Sequence, residues 1–119
     1  MKKVLSILTL LALTGTAYAY NYDNTLPLPG KTLTEASVQE EALFPVYAFG
    51  LRAASPDCKN FAIVDTEVSQ EKLENKWQEI WTIKACSKNV LIPVNFETKD
   101  SGTRFAIDPI NVKVRQVEQ

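Results

Sequence analysis

Residues Trp77–Asp108, WQEIWTIKACSKNVLIPVNFETKDSGTRFAID, decide the fold of this chain. Apolar and polar residues alternate in them with a period of two, the mark of half-buried strands. Three segments emerge, Trp77–Cys86, Val90–Thr98 and Thr103–Asp108, and Phe61–Val68 upstream follows the same pattern. The links are short and polar: Gln70–Asn75, Ser87–Asn89, and Lys99–Gly102 with its turn glycine. Short links make successive strands run antiparallel. Pairing Cys58 with Cys86 sets Phe61 against Ile83, Ile63 against Trp81 and Asp65 against Glu79. Centring the next turn on Ser87–Asn89 sets Ile83 against Ile92 and Trp81 against Val94. The last turn, centred on Asp100–Ser101, sets Phe96 against Phe105 and Val94 against Ile107. One face then collects Phe61, Ile63, Trp77, Trp81, Ile83, Ile92, Val94, Phe96, Phe105 and Ile107. A one-residue slip would scatter that set over both faces.

Upstream, Val38, Ala42, Val46, Phe49 and Ala53 recur at helical spacing and supply a cover for the apolar face. Thr32-Leu33-Thr34-Glu35 has the pattern of a capping box, with Thr32 as the cap. Pro45 removes a helical hydrogen bond, which predicts a kink or two abutting helices, and Ser55-Pro56-Asp57 ends the helical region. Pro93 cannot donate to a ladder, so a bulge is expected there. Residues Ile110–Val117 read as a last strand or a frayed tail. Tyr20–Gly30, YNYDNTLPLPG, reads as an extended, mobile arm. The expected fold class is α+β: a kinked N-terminal helix packed on a four- to five-stranded antiparallel meander.

Residues 1–19 read as a cleavable export signal. Lys2 and Lys3 precede the apolar run Val4–Leu13, and Ala17-Tyr18-Ala19 supplies small residues at the cleavage site. The run is far shorter than the roughly 20 residues of a spanning helix. The expected organisation is a signal peptide at 1–19, an arm at 20–33 and a single domain at 34–119, located in the periplasm or outside the cell. No membrane span is expected after cleavage.

Removing Lys2 and Lys3 leaves 11 basic against 14 acidic residues, a net charge of −3. With no basic stripe, a nucleic-acid partner is not expected. The chain has no histidine. That excludes Ser-His-Asp and Cys-His mechanisms and imidazole zinc sites. Neither a metal nor a cofactor is expected, and no recognisable catalytic motif is present. Cys58 and Cys86 are the only cysteines, and in an oxidising compartment an even pair reads as a disulfide.

Trp77-x3-Trp81-x4-Cys86, followed by a valine-rich strand and Gly102-x2-Phe105, resembles small exported proteins of Gram-negative bacteria that are themselves uncharacterised. The helix on a curved meander resembles the cystatin-like and nuclear-transport-factor-like architectures, over residues 34–108. The likeness implies a fold and no activity. The cystatin inhibitory hairpin, Gln-x-Val-x-Gly, does not occur in this chain, and Gly30 before the helix is common turn chemistry.

The candidate ligand-binding residues are Asp65, Glu79, Trp77 and Trp81. Two facing carboxylates near tryptophans could share a proton, as glycosidase acids do, and two indoles could form a stacking platform. The simpler expectation is a wet rim for the acids and core packing for the tryptophans. Together these features predict a non-enzymatic binding or inhibitor-like module acting by protein–protein contact, its partner in the envelope or outside the cell. The alternatives are a small-ligand or carboxylate-dependent hydrolytic pocket between helix and sheet, and a passive envelope component.

Overall fold

The structure is a computed structural model describing residues 21–54 and 58–117. The expected export signal and the helix-ending Ser55-Pro56-Asp57 lie outside the described residues. The elements are β1 (Asn21–Tyr22), α1 (Ala36–Ala53), β2 (Asn60–Leu73), β3 (Lys76–Ala85), β4 (Lys88–Lys99), β5 (Gly102–Ile107), a 3-10 turn (Pro109–Asn111) and β6 (Lys113–Gln116). The fold is α+β, one helix on an antiparallel meander of β2 to β5. β1 adds in parallel to β2, and β6 pairs with β4. No helix among the described residues is long and apolar enough to cross a membrane.

The inner face holds the whole set that the alternation assigns to it, plus Ala85 and Val90. Against it α1 lays Val38, Ala42, Leu43, Val46 and Tyr47. Gly50 lets the helix approach closely, since a Cβ there would stand 2.5 Å from Ile83 Cδ1. α1 runs through Pro45 as one element of 18 residues, not two abutting helices. Its N-cap is Glu35, with no side-chain cap. Thr32 does not cap the helix; its hydroxyl is drawn to a carboxylate on the sheet.

The last hairpin has the expected register, Phe96↔Phe105 and Val94↔Ile107. The other two differ by two residues. Trp81 meets Ile92, and Ile83 meets Val90 on β4 and Ile63 on β2. The β3–β4 turn is only Cys86-Ser87, with Cys86 at φ 58°, so strand pairing starts earlier than a turn centred on Ser87–Asn89 allows. The even shift preserves which face each side chain takes. Cys58 and Cys86 are disulfide-bonded, their Cα atoms 5.8 Å apart.

A bulge does form, but in β2. Ile63 pairs with Ile83 and Asp65 with Thr82, leaving Val64 as the extra residue. From there the facing of β2 is inverted relative to strict alternation, so Thr66 points inward at 1 % exposure and Asp65 outward. The β3–β4 ladder is unbroken past Pro93, so the expected bulge is absent there. The outer edge of β4 is shared instead, by β5 from Val94 onward and by β6 up to Leu91. Pro93 lies in the gap, its carbonyl accepting from the Asp108 amide at 3.0 Å. N–H and C=O of a strand residue point the same way, so the missing N–H falls where no strand pairs.

The segment before α1 is a strap fixed to the domain, not a loose arm. The Asp23 amide donates to Phe61 O and the Lys31 amide to Thr66 O. Thr66 Oγ1 donates to Pro29 O at 2.7 Å, and the Leu28 amide to Gln39 Oε1 at 2.9 Å. The Tyr47 hydroxyl donates to Asp23 O and accepts from the Ile63 amide. Gly30, at φ 102°, lies so close to β2 that a Cβ would run into the Thr66 backbone. The last six residues of the described chain are likewise built in, as the strand β6 and its flanks.

Candidate functional site

Trp77, Glu79 and Trp81 stand at alternate positions of β3, so all three point inward. Glu79 is fully buried, not at a rim. Its carboxylate accepts five hydrogen bonds. Oε1 takes the Trp81 indole N–H at 2.9 Å and the Thr32 hydroxyl at 2.7 Å. Oε2 takes the Trp77 indole N–H, the Leu33 amide and the Thr34 hydroxyl, each at 2.9 Å. No lysine or arginine among the described residues is within ion-pair distance; the one such pair is Lys99–Glu97 at 4.0 Å. Burying a lone carboxylate costs several kcal/mol. Five donors, at roughly 1.5–3 kcal/mol each when the acceptor is charged, are enough to offset that. An ionised carboxylate is acceptor-only, which suits a cage made entirely of donors.

The cage draws on both layers. The two indoles come from the sheet, while Thr32, Leu33 and Thr34 come from the end of the strap. Thr34 is 7 % exposed, and its carbonyl accepts from Gln39 Nε2 on α1 at 2.6 Å. Glu79 therefore ties strap, helix start and sheet at one point. Asp65 takes no part. It is exposed on the opposite face, across from Thr82, so the facing pair Asp65–Glu79 does not exist. Neither carboxylate has the paired environment that proton sharing requires.

Trp81 is completely buried, 6.0 Å from Phe96 between ring centroids. Trp77 belongs to two environments. Its N–H enters the cage, and its ring stacks on Phe96 with centroids 5.3 Å apart and planes 18° from parallel. That ring borders an open groove of about 700 Å³ at the β2–β3 hairpin end of the sheet. Phe96, Phe105 and Leu73 give the groove its apolar wall; Glu71, Glu74, Glu97, Lys76 and Arg104 give it charge. Leu73 is 74 % exposed beside it. The Lys72 ammonium lies 4.8 Å from the centroid of the Trp77 ring. Sequence reasoning missed this groove because β2 runs to Leu73, farther than its alternation. The extra length carries Glu71, Lys72 and Leu73 past the end of the apolar pattern.

Among the described residues no cluster of three Asp, Glu or Cys side chains is placed to hold a metal. In the strap, the Thr25 hydroxyl and amide hold the Asp23 carboxyl below the usual carboxylate range. No protein-family profile, no curated protein and no solved structure matches the chain.

Proposed function

We propose that this chain is a small exported binding module, acting by protein–protein contact in the periplasm or outside the cell, with no reaction chemistry of its own. The observation that carries the reading is the state of Glu79. Glu79, the one buried carboxylate among the described residues, has its oxygens occupied by five donors from the fold itself. The hydrolytic alternative needs two acids flanking one bond, and Asp65 and Glu79 lie on opposite faces. The disulfide supports an oxidising compartment. The resemblance to exported Gram-negative proteins supports the same placement. The contact surface is the groove end of the sheet, where the exposed Leu73 and the half-buried Phe105 offer apolar area inside a charged rim, the anatomy of a protein interface.

The test is a photo-crosslinking residue at Leu73, with a second one at Arg52, exposed near the far end of α1, as control. Expressed with its signal in a Gram-negative host, the Leu73 form should give a discrete protein adduct in the periplasm or medium. Phe105→Ala should remove that adduct. Equal labelling from both positions, or an adduct indifferent to Phe105→Ala, would reject the contact reading.

A further inference from the structure

A bare strand edge offers unpaired N–H and C=O groups to any other chain, and folds blunt it with covers, bulges, charge or shortness. Most edges of this sheet are blunted. β2 is covered by the strap as far as Thr66 and carries register shifts on either side of Gln70. β6 is four residues long and holds Lys113 and Arg115, and β1 has two residues. β5 ends the other side of the sheet. Its six residues pair with β4 in unbroken register from Gly102 to Ile107, with no bulge, proline or lysine.

The Asp108 amide donates to Pro93 O, which continues the register that sets Val94 against Ile107. Bonding to the two sides alternates along an antiparallel strand. Gly102, Arg104 and Ala106 therefore bond to β4, and Thr103, Phe105 and Ile107 turn their N–H and C=O groups outward. No hydrogen bond among the described residues reaches those outward groups. Phe105 and Ile107 are half-buried against the core, so a neighbouring strand would cover what they still expose. Arg104 is exposed on the other face. Glu97, opposite it on β4, also faces Lys76 across the ladder and is paired with Lys99 at 4.0 Å. One acid thus stands among three cations at this corner. Glu71 and Glu74 line the groove from the β2–β3 hairpin, on the far side of the sheet from β5. No carboxylate among the described residues is within ion-pair distance of Arg104.

We propose that β5 accepts an extended segment of the protein partner as an added antiparallel strand, with an acidic residue opposite Arg104 and apolar residues opposite Phe105 and Ile107. The outward backbone groups supply the ladder, and Arg104 selects the acid. This deepens the contact reading above, since Arg104, Phe105 and Ala106 line the same groove, and it rests on that reading for the partner being a protein. A second copy of this chain, paired through its own β5 about Phe105, would set each Arg104 opposite Ala106 of the other and bring it no acid.

The probe is the peptide acetyl-Val-Thr-Val-Glu-Val-Thr-amide, which in antiparallel register sets its glutamate opposite Arg104 and its first two valines opposite Ile107 and Phe105. Amide hydrogen exchange followed by NMR reads the edge. In the free protein Thr103, Phe105 and Ile107 should exchange faster than Arg104 and Ala106, and saturating peptide should slow those three. The same peptide N-methylated at its middle valine loses the donor to Phe105 O and should protect none of them. The glutamate peptide should bind about two- to fivefold more tightly than one with lysine in its place, the range of an exposed ion pair. Arg104→Glu, a surface change that should leave the thermal midpoint in place, should reverse that order. No slowing at the three amides, equal binding of the N-methylated peptide, or an order unchanged in Arg104→Glu overturns the proposal. Slowing of the same amides on raising the protein concentration without peptide also overturns it, because the occupant would then be a second copy. The peptide carries no partner surface beyond one strand, so its failure removes strand addition and leaves a Leu73 adduct standing. A negative crosslinking result removes the contact reading alone.

Discussion

Trp77 and Trp81, four residues apart on one strand, donate their indole N–H groups to different oxygens of a single carboxylate, that of Glu79 between them. The strap supplies three further donors. A side chain that could have been an acid catalyst is thereby turned into a structural anchor, and the first expectation concerns its removal. Glu79→Gln keeps the shape but replaces one acceptor oxygen with an NH2 group facing donors. With several buried donors left unsatisfied, the loss should be on the order of 3 kcal/mol or more. Urea unfolding followed by tryptophan fluorescence would measure it. A loss under about 0.5 kcal/mol, the range of ordinary surface substitutions, would mean that the cage does not hold the fold.

The matching substitution at the other acid should do little. The Asp65 carboxylate is exposed and makes no hydrogen bond or ion pair among the described residues. Asp65→Asn should change stability by no more than about 0.5 kcal/mol. Its neighbour tells the opposite story. Thr66→Val keeps the volume but loses the hydroxyl that donates to Pro29 O at 1 % exposure. Pro29 is exposed and its carbonyl can accept from water instead, so the change should cost the hydrogen bond alone, about 0.5–1.5 kcal/mol. The contrast between adjacent positions, read by thermal melts, checks the bulge at Val64 directly.

That bulge marks the limit of what alternation reveals. Residue type and period place Trp77, Glu79 and Trp81 on one face, and place Phe96 against Phe105, without any three-dimensional information. They also bring Cys58 toward Cys86. An extra residue in β2 leaves no trace in the pattern, because Val64 is itself apolar and Asp65 and Thr66 are both polar. Strict alternation therefore carries Asp65 to the inner face. The donors to Glu79 were hidden for a different reason. Thr32 and Thr34 sit 47 and 45 residues from it, and Thr32-x-x-Glu35 mimics a local cap. The Pro and Gly of the strap read as freedom, whereas Gly30 is required by its close approach to the Thr66 backbone.

Gly30 accordingly gives the third expectation. Its φ of 102° is open to glycine alone among ordinary residues, and a Cβ would meet the Thr66 backbone, which cannot move aside as a side-chain tip could. Gly30→Ala should destabilise by about 1–3 kcal/mol from backbone strain, with the clash adding to it. It should also loosen the strap, so that trypsin cuts after Lys31 faster than in the parent protein. An unchanged cleavage rate together with an unchanged melt would show that the strap does not lie on β2 as described.

The last expectation concerns the disulfide, which closes a loop between residues 28 apart and joins the chain entering β2 to the β3–β4 turn. A loop of that size restricts the unfolded chain enough to be worth roughly 3–4 kcal/mol on the chain-entropy view. Cys58 is buried at 2 % exposure, while Cys86 is exposed at a turn. Replacing both with alanine should lower stability by roughly 2–5 kcal/mol. The groove is lined from the opposite ends of β3 and β4, beside Lys76 and Glu97 rather than Ala85 and Lys88. The double variant, kept below its melting point, should therefore give the Leu73 crosslink as the parent does. Thiol titration of the native protein, unfolded without reductant, should find no free thiol. Two titratable thiols, or a double variant as stable as the parent, would remove the cross-link from the account of how this small sheet is held.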